Sequence, residues 1–220
     1  MGLLGLVLLA ALIFVLGNLV ILPLLSAAWS LAGALTAPGQ FLSIAADRRL
    51  RQNHALEHAT LNVLERRLGP QRLAGLARPD GFILRGLADP EAVRLAAAEG
   101  LARLKAGESH LALHDRCGTS IATANFVTSV ALLGVLLGLG RFSLANVVLA
   151  MVLANASGPF LGRLCQRFLT TTPDVGDLYI VGFECRVAEP GWGALLVNPF
   201  QAGVPVVCLV RTVSVPRGGV

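Results

Sequence analysis

Two short runs hold most of the chemistry in this chain: Asn53-His54-Ala55-Leu56-Glu57-His58-Ala59-Thr60 and His114-Asp115-Arg116-Cys117-Gly118-Thr119. Residues four apart on a helix share a face, so His54 and His58 can offer their imidazoles to one point. That is how a helix supplies half of a zinc site. The order H-x-x-E-H is the inverted zincin arrangement, in which the glutamate is the general base, so Glu57 is the candidate catalytic residue. His114 supplies a third ligand and Cys117 a candidate fourth. With His54, His58 and His114 alone, a position stays open for water; with Cys117 added, the tetrahedron closes and the site becomes structural. Zinc is the expected cofactor.

The element that must position the first run is a helix. From Leu50 to Leu68 the apolar residues Leu50, Leu61, Leu64 and Leu68 fit one helical stripe, and His54, Glu57 and His58 fall on it. Arg51, Asn53, Arg66 and Arg67 are then expected to point elsewhere. Ionisable groups on a covered stripe need a partner, because burying unpaired charge is costly, and a metal is the simplest one. The plainer reading is a helix with two surface histidines beside a membrane. Gly69-Pro70 ends the helix. A short strand is expected at Gly81–Arg85. A second helix is expected from Asp89-Pro90-Glu91, which offers an N-cap, a proline at the first position and an early acid, through to Ala106. His110 reads as an outer or surface residue.

The 220 residues are 55% hydrophobic and 14% charged, with a mean hydropathy of +0.70. That composition implies an α-helical integral membrane protein of about three transmembrane segments, with a small cytoplasmic α+β domain and a β-rich C-terminal tail. The expected organisation is an N-terminal membrane segment (1–36), a cytoplasmic metal-motif domain (37–118), a transmembrane hairpin (119–163) and a cytoplasmic β-rich tail (164–220). Leu3–Leu22, Ile121–Leu139 and Leu144–Leu161 are the apolar runs concerned. The first has no basic region before it, so a cleaved signal peptide is not expected. Net charge is +5 and pI about 9.7, with 5% aromatic residues. Because 12 of the 18 Lys and Arg residues lie in 47–116, the charge reads as topology and not as nucleic-acid binding. The localisation that follows is the cell membrane, multi-pass, with the metal site facing the cytoplasm and the lipid bilayer as a partner. Cys117, Cys165, Cys185 and Cys208 form no C-x-x-C and no disulfide-like spacing, which points to a reducing compartment. In the tail, Tyr179, Val181, Phe183, Cys185 and Val187 alternate, and Val204–Val215 is rich in valine. These are expected strands, able to pair with Gly81–Arg85.

At His54–Thr60 and His114–Ser120 the chain resembles the YqhQ-like family of bacterial membrane proteins, described as metal-dependent membrane enzymes. Within that set it is most similar to a smaller group with the Asn-His-Ala-Leu-Glu-His-Ala-Thr form. The resemblance covers roughly Arg49 to Thr172 and departs at Asp115, where the pattern has proline. It implies a metal and a membrane, and no substrate. Two functions are compatible with the residues. One is a peptidase-like zinc hydrolase at the cytoplasmic membrane surface, acting on a membrane-bound protein or peptide. The other is a non-catalytic assembly or scaffolding protein with a structural zinc. Glu57 discriminates between them, since only a hydrolytic site requires a carboxylate beside the metal. A homo-oligomer is compatible with either.

Overall fold

Helix α2, Arg48–Leu68, carries the first motif and buries it from Gln52 to Leu61. Asp47 caps its start by accepting from the Leu50 amide at 3.1 Å, Arg66 and Arg67 occupy its last turn, and Gly69 (φ 76°) ends it. The computed structural model describes residues 2–17, 39, 41–71, 73–118, scattered positions from 122 to 134, 144–187 and 204–215. Its further elements are α1 (Leu3–Leu16), β1 (Leu73–Arg78), β2 (Gly81–Ala88), α3 (Pro90–Lys105), a 3-10 turn (Ser109–Ala112), α4 (Leu144–Cys165), β3 (Leu178–Val187) and β4 (Val204–Ser214). A π-helical turn, Gln166–Thr170, continues α4.

The chain divides into two units, residues 1–39 with 122–159 and residues 40–121 with 160–220. The second holds every motif residue and is an α+β unit. Its strands form a four-stranded antiparallel sheet in the order β1-β2-β4-β3. Alternate residues of the two central strands face one way. Phe82 and Leu84 of β2, with Val206, Cys208 and Val210 of β4, are buried against Ala55, Leu56, Ala59, Val63 and Leu64 of α2 and Val93, Ala96, Ala97 and Leu101 of α3. The helices α2 and α3 approach closely at Gly100, where a Cβ would come within 3.1 Å of Ala59. Residues 52–61 of α2 are therefore buried without interruption.

That continuous burial corrects one expectation. Asn53 does not point away from the core. It is fully buried, donates to the carbonyls of Arg78 (2.7 Å) and Pro79 (3.2 Å), and accepts from the Thr212 hydroxyl at 2.6 Å. A helix enclosed on every side has no outward face for a polar residue, so Asn53 pins the β1–β2 turn instead. A second correction concerns the cysteines. Cys185 and Cys208 stand opposite one another in the β3–β4 register and are joined by a disulfide. Their separation of 23 residues carries no recognisable spacing, because only strand pairing brings them together. The basis for reading a reducing compartment from the cysteines falls with it.

The membrane reading is also corrected. Among the described residues no helix is long and apolar enough to cross a membrane. Helix α1 has 14 residues, about 21 Å at 1.5 Å per residue, against about 30 Å of hydrocarbon. Helix α4 has 22 residues, with Pro159 inside it and Arg163 in its last turn. Most of Ile121–Leu139 and the later part of Leu3–Leu22 lie outside the described residues. The integral-membrane fold class, the transmembrane segments and the multi-pass cell-membrane localisation are thus not supported. In residues 40–121 and 160–220 the buried apolar side chains build the core of an α+β unit instead.

An ion network ties the start of α2 to the segment before β3. Asp177, almost wholly buried, accepts from Arg48 (2.7 Å), Gln52 (2.7 Å) and Ser214 (2.5 Å). The Arg48 hydrogen bond holds the Asp177 carboxyl far below the usual aspartate range, outweighing the opposite push of burial, with Ser214 and Gln52 adding to it. A carboxylate with a depressed folded-state pKa stabilises the fold fully above its unfolded value of about 3.9, and that stability is lost as pH falls towards the folded value. Wild type should therefore lose about 2 kcal/mol more than Asp177→Asn between pH 5 and pH 2, a figure discounted because Arg48 is half exposed. Urea midpoints across that range measure it, and equal acid sensitivity of the two proteins would refute the assignment.

Candidate metal centre

His54 and His58 lie one turn apart on α2, with ring centroids 4.3 Å apart. His54 places Nδ1 at 2.9 Å from the carbonyl of Thr170, and His58 places Nδ1 at 2.8 Å from the carbonyl of Ala112. A carbonyl can only accept, so both rings carry their proton on Nδ1 and keep a lone pair on Nε2. This is the arrangement in which an outer carbonyl fixes the tautomer of a metal-ligating histidine. The Cys117 sulfur stands 3.3 Å from His54 Nε2, and potential ligand atoms of His54, His58 and Cys117 all lie within 4.8 Å of one another. All three residues are buried. His58 Nε2 is enclosed and forms no hydrogen bond among the described residues.

Burial lowers the pKa of both rings, against a smaller opposing pull from the Thr170 carbonyl on His54 and from Cys117 on His58. Both are therefore neutral near pH 7, as a ligand must be. The buried His54/His58/Cys117 group is able to bind a metal ion.

His114 takes a different place. It is buried and its ring stands 5.9 Å from that of His58, but its Nε2 lies 3.3 Å from Glu65, which also pairs with Arg116. The backbone of His114 is clamped by Gln166, whose side chain accepts from the His114 amide (2.9 Å) and donates to its carbonyl (3.0 Å). Of the four candidate ligands, three converge and His114 stands beside them. Glu65 was within reach of sequence reasoning, since it lies 11 residues, about three helical turns, after His54. Gln166 was not, because nothing in its spacing relates it to residue 114. His110 is exposed and accepts from Arg66 at 3.0 Å. Thr119 and Ser120, which follow Gly118 in the second motif, lie outside the described residues.

Glu57 points into a cavity of about 220 Å³ that His54, Cys117, Leu50, Gly75 and Leu76 also line. Burial, reinforced by the charge of Cys117, pushes its carboxyl well above the ordinary carboxylate range. Among the described residues it has neither a cation nor a hydrogen-bond donor. A Cβ on Gly75 of β1 would overlap that carboxyl, so the strand passes Glu57 as closely as it does only because residue 75 has no side chain. Gly75→Ala should displace Glu57 and cost about 1–3 kcal/mol of stability. Unchanged denaturation midpoints would show that the carboxyl has room to move.

An α+β unit carrying a buried His/His/Cys group, with its two histidines on the central helix and Cys117 on a later segment, is thus the class of protein that fold and site define. The chain belongs to the family described as "Domain of unknown function (DUF6391)", whose model matches residues 49–183. A protein of Picosynechococcus sp. (strain ATCC 27264 / PCC 7002 / PR-6), described as uncharacterized, is 34% identical over 134 residues, which cover 56% of this chain and 65% of that protein. The chain therefore spans slightly less than two thirds of that relative's length. No solved structure matches.

Proposed function

We propose that the protein is a zinc-dependent hydrolase, most simply a peptidase, with His54, His58 and Cys117 as ligands and Glu57 as general base. One observation carries the reading: three ligand atoms, including the unsatisfied Nε2 of His58, meet beside a cavity that Glu57 also lines. Two neutral imidazoles and a thiolate suit zinc, and three protein ligands leave a tetrahedral ion one open position. An ion held there supplies Lewis acidity, polarising a carbonyl and acidifying water. The Thr170 and Ala112 carbonyls keep both Nε2 lone pairs directed at it. Glu57 takes a proton from the attacking water and returns it to the leaving group. Glu57 would be favoured in its ionised form by the charge of an ion held by His54, His58 and Cys117, against the push of burial. The likeness of the two motifs to the YqhQ-like set agrees with a metal-dependent enzyme.

A non-catalytic zinc clamp is the second reading. It is favoured by the cysteine among the ligands and by their origin in two separate segments, but it gives a buried glutamate in the cavity nothing to do. Elemental analysis of protein purified without chelator or polyhistidine tag tests the shared premise. About one zinc per chain is expected; absence of any transition metal would overturn both readings.

A further inference from the structure

The sheet has two edges, and they are built differently. β3 is broken by a register shift between Ile180 and Gly182, and carries exposed Glu184 and Arg186. Bulges and charges are the usual devices that keep an edge strand from pairing with another chain. The other edge, β1, has none of them between Leu73 and Ala77: its sequence there is Leu-Ala-Gly-Leu-Ala, its register with β2 is regular, and the first charge comes at Arg78. Among the described residues β1 pairs with β2 alone. One alternate set of its backbone N–H and C=O groups consequently points away from the sheet. Ala74, Gly75 and Leu76 are exposed, Leu76 by 58%.

This open edge is continuous with the candidate centre. Gly75, Leu76 and Ala77 line the same cavity of about 220 Å³ as His54, Glu57 and Cys117. Asn53, the residue before His54, holds the end of β1 by its hydrogen bonds to the Arg78 and Pro79 carbonyls. The strand is thereby fixed relative to the ligands, and at Gly75 no side chain screens Glu57 from it.

We infer that β1 is the substrate-docking strand, to which an extended polypeptide adds as a fifth strand with its backbone beside the His54/Glu57/Cys117 cavity. The inference rests on the hydrolase reading and names its substrate class: an unfolded or extended peptide segment, held by main-chain hydrogen bonds. Strand addition of this kind draws affinity from the backbone and is tolerant of sequence, while alternate side chains enter whatever recesses adjoin. Six residues of strand reach about 20 Å and match a peptide of similar length.

Hydrogen–deuterium exchange on the full chain tests this, with a mixture of capped decapeptides of randomised sequence as the probe. The Leu73–Arg78 amides should exchange about tenfold more slowly with the mixture present. The same mixture N-methylated at every residue should have no effect, because it has no backbone donors. Ala77→Pro should abolish the slowing while zinc content stays at the wild-type level. Should that variant unfold, Leu76→Pro serves, since neighbouring residues of a strand direct their N–H groups to opposite edges. Slowing of β1 without cleavage of any peptide upholds the docking and overturns the hydrolase. Cleavage without slowing of β1 does the reverse. Slowing that needs no peptide and grows with protein concentration would mean that β1 pairs with a second copy of the chain, which overturns the inference.

Discussion

Glu57→Gln is expected to leave zinc content and thermal stability near wild type and to cut hydrolysis of unfolded casein by about 10²–10⁴-fold. The amide has the size and shape of the carboxyl it replaces, so the close passage of Gly75 is preserved. Glutamine cannot accept the proton of the attacking water, and among the described residues no other carboxylate lines the cavity. Because burial already disfavours the charged form of Glu57, the neutral amide should be as stable there as the acid, or slightly more so. A clamp without catalysis predicts no functional consequence of this change. Activity retained above about a tenth of wild type would sink the general-base role, and loss of zinc would mean that Glu57 is itself a ligand.

The second large effect is that of His58→Ala. His58 is wholly buried, its Nδ1 donates to Ala112 and its Nε2 faces the ligand group. Removing an outer-shell partner from a metal site typically weakens binding 10–100-fold, so removing the ligand should cost at least about 100-fold. The loss should also appear in the fold. A ligand present at about 100 times its Kd contributes about 2.7 kcal/mol, which chelation of wild type should remove and chelation of the variant should not. Competition with a chromophoric chelator measures the first effect, and denaturation with and without that chelator the second. Cys117→Ser should be comparably severe, since Cys117 stands within the ligand group. His110→Ala should change neither, because His110 is exposed and pairs with Arg66. Equal zinc affinity in His58→Ala and wild type would remove this histidine from the centre.

Much of the local structure could be read from residue types alone. Asp47 and Gly69 bound α2, and Asp89 caps α3 by accepting from the amides of Glu91 and Ala92, through chemistry confined to a few neighbouring residues. The alternation in the tail marks β3 and β4, and β4 pairs with β2 from Gly81↔Arg211 onwards. β1 is not legible in the sequence, because Leu-Ala-Gly-Leu-Ala-Arg has little β-branched or aromatic content. Its extended form depends on pairing with β2, a tertiary circumstance.

By itself the sequence determined that His54, Glu57 and His58 share a helix face, because helical spacing is a local property of the backbone. It also determined that Cys117 and His114 follow on a later segment. Only the tertiary structure decided which of these meet. The carbonyls of Thr170 and Ala112 orient two imidazoles towards Cys117, while Glu65 and Gln166 draw His114 to one side. Those partners lie 116, 54 and 52 residues from the groups they hold, apart from Glu65, which is 49 away. Hydropathy had the same limit: it counts apolar residues but is blind to whether lipid or another strand covers them. In residues 40–121 and 160–220 the answer is a sheet packed on two helices, since inward alternation from β2 and β4 gives α2 and α3 a surface to bury against.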